Sequence, residues 1–204
     1  MIVLLDIIGA IIAGTMVIIT IVNSIFNIQQ MNYNIQTLLS LNTVGNEITE
    51  FIDLTYLESV GRNLKSTDQI ISTAKENEFT FFTKPSYADT VFTQYTITAV
   101  QNSLEQTYIS VLSDSVEVFN SLPFQIKESN IFTYYIKSGE DADGHIIYTS
   151  NPNPNLADLE QIFYVKVSLI FIEKGWNKQQ NLTIEYPVVF WRFFKNNYLN
   201  KLNI

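Results

Sequence analysis

From Ile7 to Asn46 the chain carries no charged side chain, and its first part, residues 2–22, is almost wholly apolar. About 20 consecutive apolar residues, folded as an α-helix, span the roughly 30 Å hydrocarbon core of a bilayer. Residues 2–22 meet that length with a single ionised group, Asp6, near one end. The stretch reads as a membrane helix, and the rest of the chain has to be compatible with it.

The helical pattern continues past that length. No proline occurs before Pro85, and apolar residues return at Ile28, Met31, Ile35, Leu38, Leu41, Val44, Ile48, Phe51 and Val60. Steps of three and four place them on one stripe of a helix. Thr, Asn and Gln fill the other face until Glu47, Glu50 and Asp53 bring charge. A helix from Ile2 to about Val60, with Gly61 as its stop, measures on the order of 90 Å, roughly 60 Å of it beyond the bilayer. Such a helix needs partners along most of its length.

Asp6 is the informative departure. A carboxylate in a membrane helix costs about 2.5–3.5 kcal/mol on insertion scales, so such a group ordinarily has a partner. The first Lys or Arg in the chain is Arg62. The nearest positive group is an N-terminal amine, its own or a neighbour's. Either Asp6 sits at the interface with its carboxylate in water, or it pairs with the amine of an adjacent chain. A pair at roughly 4 Å yields about 4 kcal/mol at an effective dielectric near 20, enough to offset insertion.

An acid about five residues in, an apolar helix with Gly14, and a long amphipathic continuation together resemble the type IV pilin superfamily of pilins, minor pilins and pseudopilins. The run Phe51-Ile-Asp-Leu-Thr-Tyr-Leu-Glu-Ser-Val-Gly-Arg62 resembles the segment where minor pilins and J-type pseudopilins leave the helix. The resemblance implies that Asp6 neutralises the amine of a neighbouring subunit, and that residues 2–60 pack as a filament core. It also implies related pilins, an extrusion ATPase and a membrane platform as partners. The family usually has Glu where this chain has Asp6, and many members carry a helix proline where it has Val22-Asn23-Ser24. If only Met1 were removed, Asp6 would be the fifth residue.

Two parts follow: residues 1–61 as the long helix (2–22 transmembrane or filament core, 23–61 amphipathic) and residues 62–204 as a globular β-rich domain. The second part, about 140 residues, suits one domain. After a short helix expected over residues 66–75 with its cap at Ser66 or Thr67, β-branched and aromatic residues take over. Strands are expected at 79–83, 91–100, 105–112, 131–137, 145–149, 163–172 and 182–191, with 115–120 as a further candidate. Asn151-Pro-Asn-Pro-Asn155 is a loop, residues 156–160 a turn of helix, and Gly175–Lys178 a turn between the last strands. The fold class is therefore α+β: a long N-terminal membrane-spanning helix packed by its C-terminal half on an antiparallel β-sheet domain, as in pilins.

The composition excludes several functions. A net charge of −8 without a Lys/Arg cluster argues against a nucleic-acid binder. The chain has no cysteine, which removes disulfides and thiolate chemistry. His145 is the only histidine, and neither a Gly-x-Ser-x-Gly elbow nor a phosphate-binding glycine loop is present. We expect no enzyme, no cofactor and no metal. Asp141 and Asp143 with Gly144 have ligand-like spacing for calcium, but Asp-x-Asp-Gly is ordinary hairpin chemistry and the turn reading is preferred. Asn181-Leu-Thr183 is a glycosylation sequon by pattern only. The tail from Trp191 mixes aromatics with positive charge, as a packed last strand or as a subunit contact.

The expected function is a structural subunit of a type IV pilus-like filament or pseudopilus. Its assembly residues are Asp6, Gly14, Ile28, Met31, Ile35 and Leu38. It would reside in the inner membrane before assembly and then in a homo-oligomeric helical filament at or beyond the cell surface. The alternative is a single-pass anchored surface or periplasmic domain that binds a ligand, and a weaker third reading is a membrane-anchored virion or fusion protein. A removed secretory signal would require a basic start and a small-x-small cleavage site.

Overall fold

A computed structural model of the chain describes residues 2–65, 67–86, 90–102, 106–121, 125–175 and 183–195. Helix α1 runs Ile2–Glu50. A π-helical segment, Phe51–Tyr56, and a short 3-10 turn, Leu57–Ser59, prolong it. The backbone leaves the helical region at Val60 (ψ 120°) and turns at Gly61, whose φ of +68° suits a residue without a Cβ. Asn63 also has a left-handed φ of +59°, held by its side-chain amide donating to the carbonyls of Lys84 and Pro85.

Among the described residues ten strands form one sheet: β1 (Ile71–Lys75), β2 (Glu78–Thr83), β3 (Thr93–Gln101), β4 (Thr107–Ser113), β5 (Val116–Asn120), β6 (Gln125–Ile126), β7 (Phe132–Glu140), β8 (Ile146–Asn151), β9 (Ile162–Lys174) and β10 (Thr183–Phe193). The order is β1-β2-β3-β4-β6-β9-β7-β8, with β5 beside β4 and β10 beside β9. Strands β1 to β9 pair antiparallel, with residues such as Phe79↔Ile97, Ile97↔Val111 and Tyr134↔Val165 in register. The α+β class therefore holds, with one long apolar helix and a large antiparallel sheet.

Two elements differ from the sequence expectation. Residues 71–75 are strand β1 where a short helix over 66–75 was expected; of its two proposed caps, Ser66 lies outside the described residues and Thr67 lies in a turn. Ile71 and Ala74 are both buried although three residues apart, the spacing that suggests a helix. An irregularity between Ile71 and Thr73 resets the pleat, so both turn inward from a strand. Tyr134 holds that hairpin from below: its hydroxyl donates to the carbonyls of Lys75 (2.9 Å) and Glu78 (3.2 Å). Burial pushes the phenol well above its ordinary pKa.

The second difference is the packed face of the helical run. The residues buried there are Leu41, Gly45, Ile48, Ile52 and Tyr56, while Phe51, expected on the stripe, is exposed on one side. Gly45 belongs to this face because of its size. A Cβ there would lie 3.1 Å from two ring carbons of Phe171 and 3.4 Å from Tyr186. The π segment then carries an extra residue per turn, which keeps Ile52 and Tyr56 on the inner side.

The chain divides into two compact units: Met1–Ser40 with Lys174–Ile184, and Leu41–Glu173 with Glu185–Ile204. The second has an aromatic core. Phe79 is fully buried between Phe81, Phe132, Tyr134 and Phe194, at ring separations of 5.4–6.0 Å. Phe51 meets Phe119 at 4.8 Å and Tyr56 meets Tyr95 at 5.3 Å. The Tyr186 hydroxyl donates to the Asn42 side-chain carbonyl (2.9 Å). In the first unit, the Tyr33 hydroxyl reaches the Lys174 carbonyl (3.5 Å).

Candidate functional site: the apolar helix

In the first unit, every described large apolar side chain from Val3 to Leu39 is at least 36% exposed. The segment is unusual in how it treats its few polar groups. The hydroxyls of Thr15, Thr20 and Ser24 each donate to the carbonyl four residues earlier, at 2.8 Å. Such back-bonding satisfies a hydroxyl without water, which an apolar surrounding demands. Among the described residues this is the one helix long and apolar enough to cross a membrane.

The sequence-derived assembly residues all lie on this surface. Asp6 is exposed and, among the described residues, has neither a hydrogen-bond nor an ion-pair partner. Gly14 has open space where a Cβ would stand. Ile28, Met31, Ile35 and Leu38 are 59%, 63%, 42% and 40% exposed, so an exposed apolar stripe continues past the length of a bilayer.

The acidic hairpin is a turn. Asp141 Oδ1 accepts from the backbone N–H of Asp143 (3.0 Å) and of His145 (2.7 Å), and Oδ2 lies 3.1 Å from His145 Nδ1. Ligand atoms of Asp141, Asp143 and His145 lie within 4.8 Å of one another, all exposed. The His145 N–H foremost, then the other turn donors, hold the Asp141 carboxyl below its usual pKa. These contacts close the β7–β8 hairpin, and Gly144 completes the turn with φ +83°. Most of the Gly175–Lys178 turn, the start of the sequon at Asn181-Leu182, and the tail beyond Lys195 lie outside the described residues.

One feature escaped the sequence reading. Arg192 on β10 makes a bidentate pair with Asp53 of the π segment: Nε to Oδ1 and Nη2 to Oδ2, both 2.5 Å, with the two side chains about a quarter exposed. Nothing in the local sequence connects positions 139 residues apart. Comparison of the chain with family models, with curated proteins and with solved structures finds no match.

Proposed function

We propose that this chain is a membrane-anchored structural subunit that assembles side by side with copies of itself or with similar chains through α1, in the manner of the type IV pilin superfamily. The observation that carries the reading is the exposed apolar surface from Ile25 to Leu39, beyond the length a bilayer requires. A simple tether has no use for it. A bundle of parallel helices does, because each copy covers the stripe of its neighbours. Burying about 1,500 Å² of apolar surface per subunit would release tens of kcal/mol before ordering costs.

In this reading residues 2–22 hold the subunit in the membrane before assembly, and Asp6 pairs with the terminal amine of an adjacent chain. The Asp6→Ala variant is expected to stay in the membrane fraction and to lose the assembled state, read by cross-linking within membranes and by electron microscopy of sheared surface material. Normal assembly of that variant would remove Asp6 from the mechanism. A chain that stays with the membrane and never enters an assembly would favour the anchored ligand-binding domain.

A further inference from the structure

The sequence contains only two arginines, Arg62 and Arg192. Both line one cleft of about 300 Å³ in the second unit, together with Lys195, Leu57, Glu58 and Phe193. For an acidic chain, with 20 Asp and Glu against 12 Lys and Arg, this is a local reversal of sign. Against these three cations stand Glu58 in the lining and Asp53 on Arg192, which leaves the cleft with an excess of positive charge that favours an anion.

The cleft is built from fixed parts. Arg62 sits between two left-handed residues, Gly61 and Asn63. Its N–H donates to the Ser59 carbonyl (2.9 Å), and its carbonyl accepts from the Lys84 N–H (3.0 Å). Arg192 is locked by Asp53, which engages Nε and Nη2 and leaves Nη1 uncommitted. The guanidinium of Arg62 and the ammonium of Lys195 have no hydrogen-bond or ion-pair partner among the described residues, and both are exposed. Among the described residues Glu58 is the one acidic side chain lining the cleft.

We propose that this cleft binds an oxyanion, a phosphate or carboxylate group, with Arg62 and Lys195 as its direct ligands and Arg192 as a preset wall. Planar guanidinium donors match such groups, and a charge-assisted bond to each is stronger than a neutral one. The group comes either from a free small anion or from a carboxylate side chain of a second copy. The site is independent of the assembly reading, since it uses no residue of α1.

The test uses the full chain in detergent micelles, titrated with inorganic phosphate at constant ionic strength. Phosphate is expected to raise the thermal midpoint saturably. Arg62→Ala is expected to abolish the shift, and Lys195→Ala to weaken apparent affinity roughly tenfold. Lys137→Ala, at a residue that does not line the cleft, should behave as the unmodified chain. If the anion belongs to a second copy, self-association measured by sedimentation falls in Arg62→Ala and is reversed by phosphate. If the anion is free, association is unchanged and the midpoint shift remains. The proposal is overturned if phosphate produces no saturable shift and no change in association, or if Arg62→Ala responds as the unmodified chain does.

Discussion

From Val3 to Leu39 every described large apolar side chain of α1 is at least 36% exposed, whereas Leu41, Ile48, Ile52, Tyr56, Leu57 and Val60 are at most 7% exposed. The first stretch is apolar on every side over residues 2–22, and both carry the apolar stripe of three- and four-residue steps from Ile28 onward. What differs is supply of a partner. The later stretch meets Phe119, Phe171 and Tyr186 from the sheet. In the first unit, the described large aliphatic side chains from Val3 to Leu39 stay at least 40% exposed. Periodicity therefore reports that a face will be buried, and leaves open whether the cover comes from the same chain, from lipid or from another copy.

The sharpest break of this comparison is a matched pair of truncations. Ile52→Ala removes a fully buried side chain and is expected to cost about 2–5 kcal/mol in denaturant unfolding of the detergent-solubilised chain. Leu39→Ala, at a position 60% exposed, should stay within about 0.5 kcal/mol in the same measurement. Equal losses would erase the distinction between the stretches.

Next in size is the Asp53–Arg192 pair. Arg192→Met leaves a half-buried carboxylate without its bidentate partner, at an expected cost of about 1.5–3 kcal/mol. Restoration by the double variant Asp53→Asn/Arg192→Met would assign that loss to the orphaned charge, and a purely additive result would assign it to packing.

A smaller effect separates two glycines of the same helix. At Gly45 an added methyl meets the buried Phe171 ring, and overpacking of about 1–3 kcal/mol opposes about 1 kcal/mol of helix propensity. Gly45→Ala is expected to lower the melting temperature. Gly14→Ala, in open space, should not lower it. A stabilised Gly45→Ala would mean that Phe171 gives way and the helix-to-sheet contact is loose.

The smallest effect is a pH dependence within the second unit. The Lys65 backbone N–H, and after it the buried Lys84 ammonium at 3.0 Å, hold the Asp68 carboxyl below its ordinary pKa. A depressed folded-state value means that the ionised form is the stabilising one. Its contribution is complete above the unfolded pKa near 4 and disappears as pH falls through the lower folded value. The stability gap between the unmodified chain and Asp68→Asn should thus be constant from neutral pH to about pH 5 and close below about pH 4. A gap that persisted in strong acid would locate the effect outside the carboxylate.

Much of the sheet was legible because alternation of aromatic and β-branched residues survives in its longer strands, as in Phe163–Ile172 and Val91–Val100. Short strands were not: β6 has two residues and is held by Thr107↔Ile126 and Ile126↔Phe171, pairings that no local pattern announces. The strand at 71–75 was hidden by a bulge that gives it helical spacing. Gly45 reads as a helix liability until Phe171 supplies the reason for it.

The sequence by itself determined that a long uncharged helix opens this chain, that a strand-rich domain follows, and that cysteine, multi-histidine and phosphate-loop chemistry are absent. Those are consequences of composition and of periods of two and 3.6, which act over a few neighbouring residues. Only the tertiary structure decided which helical face is covered, which strands adjoin, and that both arginines meet at one cleft. Contacts such as Asp53 with Arg192 or Gly45 with Phe171 join positions more than a hundred residues apart. Their energy depends on distance in space, and local sequence carries no record of that distance.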